Sequence, residues 1–337
     1  MVSDTTVDTT SPSVLVTFQP GFESLAERDI RAASPKSKVL SQLEPGLWHV
    51  RGDLVAGLAS AIAIRHLHPV MVDAPVSDLA ALVAAVAPLG AALNRNHSYA
   101  VQTRLVGSSP IAPKAIPIND AVAAAIDAPY DRRAPAQVLS VTLVGERVLA
   151  GVGPTRDNLS AWPGGARRFA HAAASPSRAE HKLEEALEVF GYTPRGRALD
   201  LGAAPGGWTK VLAERGVQVT AIDPAELDRN ITTLPGVSVY RGTAERYLSS
   251  RAAPVDLIVN DMRMDARDSA RLMVQYARLL YAHGIAIMTL KLPEAARGAV
   301  VEQALTVLRS AYEVVAARQL FHNRSEITVY LRKKRDA

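Results

Sequence analysis

Four charged residues in the second half of the chain, Lys182, Asp261, Lys291 and Glu326, have the types and settings for proton chemistry. Lys182 sits beside a helical stripe of Ala179, Leu183, Ala186, Leu187 and Phe190. Asp261 ends the apolar run VDLIVND, Lys291 ends GIAIMTLKLP, and Glu326 opens the last apolar run in NRSEITVYLR. Taken singly, Lys182 reads as a solvated helix residue, Asp261 as a turn former and Glu326 as an edge charge. Lys291 is different, because a lysine between MTL and LP at an apolar strand end needs a partner. Two cations and two carboxylates suit the deprotonation of a hydroxyl.

A second constellation lies at Arg197 to Thr209, RALDLGAAPGGWT. A short apolar run reaches Asp200 and opens into a loop with Gly202, Ala203, Pro205, Gly206 and Gly207. A helix begins near Trp208, and a second strand, VQVTAI, runs into Asp223. Glycine permits backbone angles and close ligand approach that other residues deny. A carboxylate at the second strand's tip is placed to accept from ribose hydroxyls. The G-x-G-x-x-G spacing and the Walker Lys-Ser/Thr are both absent, so a ligand with a ribose and no phosphate fits better than a dinucleotide or nucleoside triphosphate. S-adenosylmethionine (AdoMet) is such a ligand. Asp200 would meet its methionine end. Trp208 reads equally as ligand contact and as helix packing.

These residues need a scaffold. From Ser177 the pattern alternates helices and strands, with strands expected near 197–201, 217–222, 237–240, 255–260, 284–290, 312–318 and 326–332. Ser177-Arg178-Ala179-Glu180 reads as a capping box opening the helix of Lys182, which stops at Gly191. The short polar loop between the last two strands implies antiparallel pairing. Six parallel strands and one antiparallel strand make the seven-stranded sheet of an α/β, class I (Rossmann-like) methyltransferase domain. Ligands of such sheets bind beyond the carboxyl ends of the parallel strands. Asp261 and Lys291 lie there on neighbouring strands.

The first half reads as α+β. Strands at 14–18, 39–43, 47–50 and 70–72, with helices at 21–33 and 54–65, follow the ferredoxin-like order. A second unit has helices at 78–87 and 119–128 and strands at 99–105, 138–144 and 147–152, the last two joined by a tight turn at Gly145. The expected organisation is a disordered start (1–12), an α+β region (13–155), a linker (156–175) and the methyltransferase domain (176–337).

The chain has no cysteine, which excludes disulfides, thiolate metal sites and a thiol nucleophile. Its net charge of +5 leans toward a polyanionic partner, although many basic proteins bind no nucleic acid. The polar start lacks the basic and apolar regions of a signal peptide, and the longest uncharged apolar run, Leu54 to Ile64, is too short to span a bilayer. A cytoplasmic protein without a membrane partner is expected.

Together, Lys182, Asp261, Lys291 and Glu326 resemble the Lys-Asp-Lys-Glu tetrad of FtsJ-type RNA ribose 2′-O-methyltransferases. PSR…KLEEALEVF, DLGAAPGGWT, NDM, LKLP and RQLFHNRSEITV are similar to the RlmM-type branch, which methylates a cytidine ribose of 23S rRNA. These motifs run from Pro176 to about Arg332. The opening LVTFQPGFESLAERDI is similar to that branch's start, and the region after it looks like a THUMP-type RNA-binding module.

The resemblance implies AdoMet as cofactor, no metal, and RNA, most directly 23S rRNA, as partner. It makes Lys291 the base, with Lys182 next in line. Asp261 would bridge the lysines, and Glu326 would fix a lysine or the ribose. Desolvation and Lys182 lower the proton affinity of Lys291, while Asp261 and Glu326 raise it; the sequence leaves that balance open. Arg318, His322 and Arg324 flank Glu326 and read either as RNA contacts or as a solvated loop. Two departures stand out. The N-terminal half carries no face dense in lysine and arginine, and the acid that often meets adenine after the third strand is replaced by RGTAERY, with Thr243 and Glu245 nearby. Other readings are methylation of another RNA or of a small hydroxylated molecule, and a non-catalytic RNA-binding ribosome-assembly factor on the same fold.

Overall fold

A computed structural model of the chain describes residues 12–167, 179–250 and 253–335. Nearly all of the expected disordered start, residues 168–175 of the expected linker, and Ser177 and Arg178 of the capping box lie outside the described residues. The chain divides into two compact units, with the boundary between Ala166 and Arg167.

The first unit contains two four-stranded sheets. In the first, β1 (Ser13–Thr17), β2 (Lys38–Glu44), β3 (Leu47–Arg51) and β4 (His66–Pro69) take the order β2-β3-β1-β4, with α1 (Glu23–Ala33) between β1 and β2. This is the ferredoxin-like strand order, but the second helix, expected at 54–65, is missing. Only a 3₁₀ turn forms, at Gly57–Ser60. The buried carboxylate of Asp29 on α1 explains this, because its Oδ2 accepts the amides of Ile62, Ala63 and Ile64 at 2.9, 2.6 and 3.4 Å. Amides held by a side chain cannot serve an i−4 carbonyl. Gly57 also backs onto α1, where a Cβ would come within 2.6 Å of Ala33.

The strand expected at 70–72 is a crossing point. Val70 N donates to Ser13 O in the first sheet and Met71 N to Ala150 O in the second. The second sheet comprises β5 (Val72–Pro75), β6 (Tyr99–Val106), β7 (Gln137–Val144) and β8 (Arg147–Pro154), ordered β5-β8-β7-β6, with only β6 and β7 parallel. α2 (Leu79–Val86) and α3 (Ala115–Ala124) cover it through Leu82, Val86, Ile118 and Val122. α3 starts earlier than its apolar pattern suggests, because Pro117 is tolerated in a first helical turn. Residues read as the start of the linker pack on this unit. Ala161 O accepts from Gln102 Nε2 at 2.8 Å, and Gly164 O accepts from Thr17 Oγ1 at 3.1 Å.

The second unit is built on one seven-stranded sheet. Its strands are β9 (Arg197–Leu201), β10 (Gln218–Asp223), β11 (Val237–Arg241), β12 (Val255–Asn260), β13 (Leu280–Lys291), β14 (Tyr312–Arg318) and β15 (Glu326–Lys333). They take the order β11-β10-β9-β12-β13-β15-β14, and β15 runs antiparallel to both neighbours. This is the class I methyltransferase sheet, as expected. Its helices are α4 (Glu180–Val189), α5 (Gly207–Ala213), α6 (Arg229–Thr232), α7 (Ala244–Leu248), α8 (Ala266–Tyr276) and α9 (Arg297–Leu308). α4 and α5 bury Leu183, Ala186, Leu187, Trp208, Val211 and Leu212 against Ala198, Val219, Leu257, Val259 and Ile287 of the strands. That packing fixes the start of α4, and so Lys182, over the carboxyl edge of β12 and β13. Among the described residues no helix is long and apolar enough to cross a membrane.

Candidate active site

The fold brings the four charged residues together. Lys182 is in the first turn of α4, Asp261 follows β12 directly, Lys291 ends β13, and Glu326 opens β15 opposite Lys291 in the antiparallel register. Lys182 Nζ lies 3.3 Å from Asp261 Oδ2 and pairs closely with Glu326 Oε1. Lys291 Nζ pairs closely with Asp261 Oδ1 and lies 3.7 Å from Glu326 Oε2. Each lysine thus touches both carboxylates. The side chains are 8–23% exposed, a depth at which such charges persist only when paired.

Burial alone would push the Asp261 carboxyl up and the Lys182 ammonium down. Lys291 and Lys182 reverse the first effect and hold Asp261 below the usual carboxylate range. Asp261 and Glu326 reverse the second and hold Lys182 above the usual lysine range. Lys182 is therefore a fixed cation.

Residues that the sequence reading missed keep this set in place. Thr289 Oγ1 donates to Asp261 Oδ1 at 2.6 Å; it stands two residues before Lys291 and so shares its strand face. Asn260 is fully buried, donates to Ser269 Oγ at 3.1 Å and accepts Met262 N at 2.9 Å, which shapes the turn carrying Asp261. Glu185, one turn after Lys182, accepts Phe321 N, His322 N and His322 Nδ1 at 2.8, 2.9 and 2.8 Å. It ties α4 to the segment that leads into Glu326. The i+3 spacing from Lys182 was a signal for this, but its partners lie more than 130 residues away in sequence. His322 therefore faces Glu185 and lies tilted against His181 at 5.3 Å, while Arg318 ends β14 and Arg324 lies exposed in the turn.

Beside Asp261 opens a cavity of about 480 Å³, within the range of small-molecule sites. Asp200, Gly202, Ala203, Pro205, Gly207, Trp208 and Asp223 line it, as do Thr243, Glu245 and Met262. Gly202 has φ +73°, and a Cβ there would lie 2.5 Å from Met262 Cγ. Gly206 is the exception among the expected contacts. It does not line the cavity; it caps α5 at φ +118°, and a Cβ would press on Ile231 of α6 at 3.0 Å. Its positive φ and the contact with Ile231 require a glycine there.

Trp208 combines both of its readings. The ring is buried in the core and borders the cavity, and its Nε1 donates to Ala179 O at 2.8 Å, pinning the start of α4. Asp223 accepts Ala204 N at 3.0 Å and Ala225 N at 2.8 Å, which leaves further lone pairs on a carboxylate that lines the cavity. Asp200 is fully buried against Thr209 Oγ1 at 2.6 Å, and burial pushes its carboxyl up to about 7. Among the described residues no three His, Cys, Asp or Glu side chains form a metal-binding group.

Residues 176–319 match the FtsJ-like methyltransferase family. The chain is 42% identical over 189 residues to the ribosomal RNA large subunit methyltransferase M of Halorhodospira halophila, covering 55% of this chain and 54% of that protein. It is 34% identical over 216 residues to the protein of the same name from Cellvibrio japonicus, covering 60% and 61%. The chain thus spans between half and two thirds of the length of these relatives. Among solved structures, TrmN from Thermus thermophilus is similar over 96% of this chain and 99% of its own, at 21% identity and a TM-score of 0.39.

Proposed function

We propose that this chain, whose residues 176–319 match the FtsJ-like methyltransferase family, transfers a methyl group from AdoMet to a ribose 2′-hydroxyl of RNA, most directly a cytidine of 23S rRNA. The observation that carries this reading is the convergence of Lys182, Asp261, Lys291 and Glu326 at the edge of a nucleoside-sized cavity. The ribosomal RNA named in the relatives supports the substrate class.

The cavity's residues fit AdoMet. Gly202, Ala203 and Gly207 offer backbone without bulk, Asp223 would accept from the ribose hydroxyls, and Asp200 would meet the cationic end. When bound, AdoMet supplies an electrophilic methyl on a positively charged sulfur that leaves neutral.

A ribose hydroxyl is a poor nucleophile and needs a base within hydrogen-bond reach and in line with the methyl. Lys182 is held protonated by its two carboxylates, so it suits positioning and charge balance better than proton abstraction. Lys291 is the more exposed of the two lysines and is the base in this reading. Asp261 orients both lysines, and Glu326 fixes them from β15.

Incubation with total rRNA and labelled AdoMet tests the reading. The label should appear in a nucleotide whose 3′ linkage resists alkali, because the attacking 2′ oxygen is blocked. Label on a base after nuclease digestion, or none in any RNA, overturns it.

A further inference from the structure

The two sheets of the first unit face each other across a polar seam. From the first sheet come Thr17, His66 and His68, and from the second Gln102, Arg104, Ser140 and Thr142, under the turn at Pro163–Gly164. The register places them together, since Thr17 pairs with His66, Gln102 with Ser140 and Arg104 with Thr142. His66, His68, Ser140 and Thr142 are 2–3% exposed. A polar group at such depth ordinarily has a hydrogen-bond partner. Here both ring nitrogens of His66, Gln102 Oε1, Ser140 Oγ and Arg104 Nη1 have none among the described residues. Arg104 is half-buried with no carboxylate beside it, and desolvation lowers its pKa.

The chemistry of this seam is that of an anion site. Burial holds both imidazoles neutral, His68 at about 4 and His66 well below its usual value, so Arg104 is the cation of the cluster. His68 Nδ1 donates to Pro69 O at 2.8 Å, which leaves Nε2 to accept from Thr142 Oγ1 at 3.0 Å. The remaining polar groups are an imidazole with one N–H, a hydroxyl, one edge of a guanidinium and the Gln102 amide oxygen, so an N–H, an O–H and the guanidinium edge are free to donate beside the acceptors Gln102 Oε1 and the second imidazole nitrogen. No acidic side chain lines the cleft, and two imidazoles without a third ligand do not make a metal site. The inner recess is about 10 Å³, room for a single oxygen-sized atom. A buried guanidinium is costly without a counter-charge, and guanidinium with hydroxyl donors is a recurrent partner of phosphate oxygens.

We propose that this seam binds a phosphoryl group end-on, with one anionic oxygen in the recess against Arg104, His66 and Ser140. The donors come from two facing sheets rather than one plane, which suits a tetrahedral oxyanion better than a flat carboxylate. An RNA backbone phosphate and a free phosphate share this chemistry. Only the RNA source rests on the function proposed above; the anion site itself does not.

The test uses the full-length protein, Arg104→Leu and Ser140→Ala. Thermal unfolding is followed in inorganic phosphate, acetate and chloride at matched ionic strength. Phosphate at about ten times its dissociation constant should raise the parent's midpoint by roughly 3 °C over chloride. It should do so less in Ser140→Ala and not at all in Arg104→Leu. In chloride, Arg104→Leu should be at least as stable as the parent, because an uncompensated charge has been removed. Binding of a short oligoribonucleotide is measured in parallel. If RNA is the source, Arg104→Leu lowers the salt slope by about one. If phosphate protects while RNA affinity is unchanged, the site stands and its occupant is a free phosphate. An equal response to acetate, or an equal phosphate response in all three proteins, overturns the proposal. Should Arg104→Leu fail to fold, the weakened phosphate response of Ser140→Ala decides alone.

Discussion

Replacing Glu185 with alanine should disable the site without touching it. Its carboxylate is the acceptor for two backbone amides and the imidazole of the segment at 321–322. Alanine removes both oxygens at once. His322 is half-buried and can turn to water, but the amides of Phe321 and His322 lose their acceptor in partial burial. An orphaned group of this kind costs about 1–3 kcal/mol. Water reaches part of the segment, so two of them should cost about 2 kcal/mol near the low end of that range. For a unit of this size, that lowers the melting midpoint by roughly 4–8 °C. The segment leads into Glu326, which pairs with both lysines, so its loosening shifts the tetrad. Misplacement by about 1 Å can cost a hundredfold in rate. Apart from Ala179 at the head of α4, the cavity walls come from other segments, so AdoMet affinity should stay within a few-fold of the parent. Calorimetry with AdoMet, thermal unfolding and single-turnover transfer on rRNA measure these in turn. An alanine variant with the parent's stability and transfer rate would refute the linkage between α4 and Glu326.

Three further outcomes follow from the geometry. Thr289→Val keeps the shape of a buried residue and removes the donor to Asp261, so single-turnover transfer should fall roughly tenfold or more, the equivalent of one hydrogen bond to a charged group, with unchanged AdoMet affinity; equal rates would count against it. Gly202→Ala meets both a left-handed backbone and Met262, so calorimetry should show at least about tenfold weaker AdoMet binding, and full affinity would remove the glycine from the cradle. The Asp200 carboxyl is raised to about 7 in the fold, above its unfolded value, so the neutral form favours folding. Its contribution is greatest at low pH and is lost as pH rises from about 4 to about 7. The midpoint of Asp200→Asn, with the Thr209 bond still possible, should therefore gain on the parent's between pH 5 and 8, and parallel profiles would contradict this.

Much of the second unit was legible because its signals are local. Apolar runs ending in Asp261 and Lys291 gave both strand and terminus, and the glycine loop announced itself by spacing. Six parallel strands and one antiparallel strand follow from alternation plus one short hairpin. What the sequence concealed depends on distant partners. Asp29 holding the amides of 62–64 turned an expected helix into a 3₁₀ turn and an irregular segment. Gly206 carries a glycine requirement set by Ile231 on α6, a distant residue. Thr289 and Glu185 look ordinary until the fold brings Asp261 and His322 to them. The seam around Arg104 was invisible for the same cause, since its members are spread from Thr17 to Gly164 and meet only when two sheets stack.

The most direct measurement is single-turnover methyl transfer to rRNA by Lys291→Ala at saturating RNA and AdoMet, read as 2′-O-methyl nucleotide. Positioned proton transfer is typically worth about 10²–10⁴-fold, so the variant should fold, bind both substrates and lose at least about a hundredfold in rate. Lys291→Arg should fare no better, because a guanidinium does not give up its proton near neutral pH. A Lys291→Ala protein within roughly tenfold of the parent, below the floor of that range, would contradict Lys291 as the base.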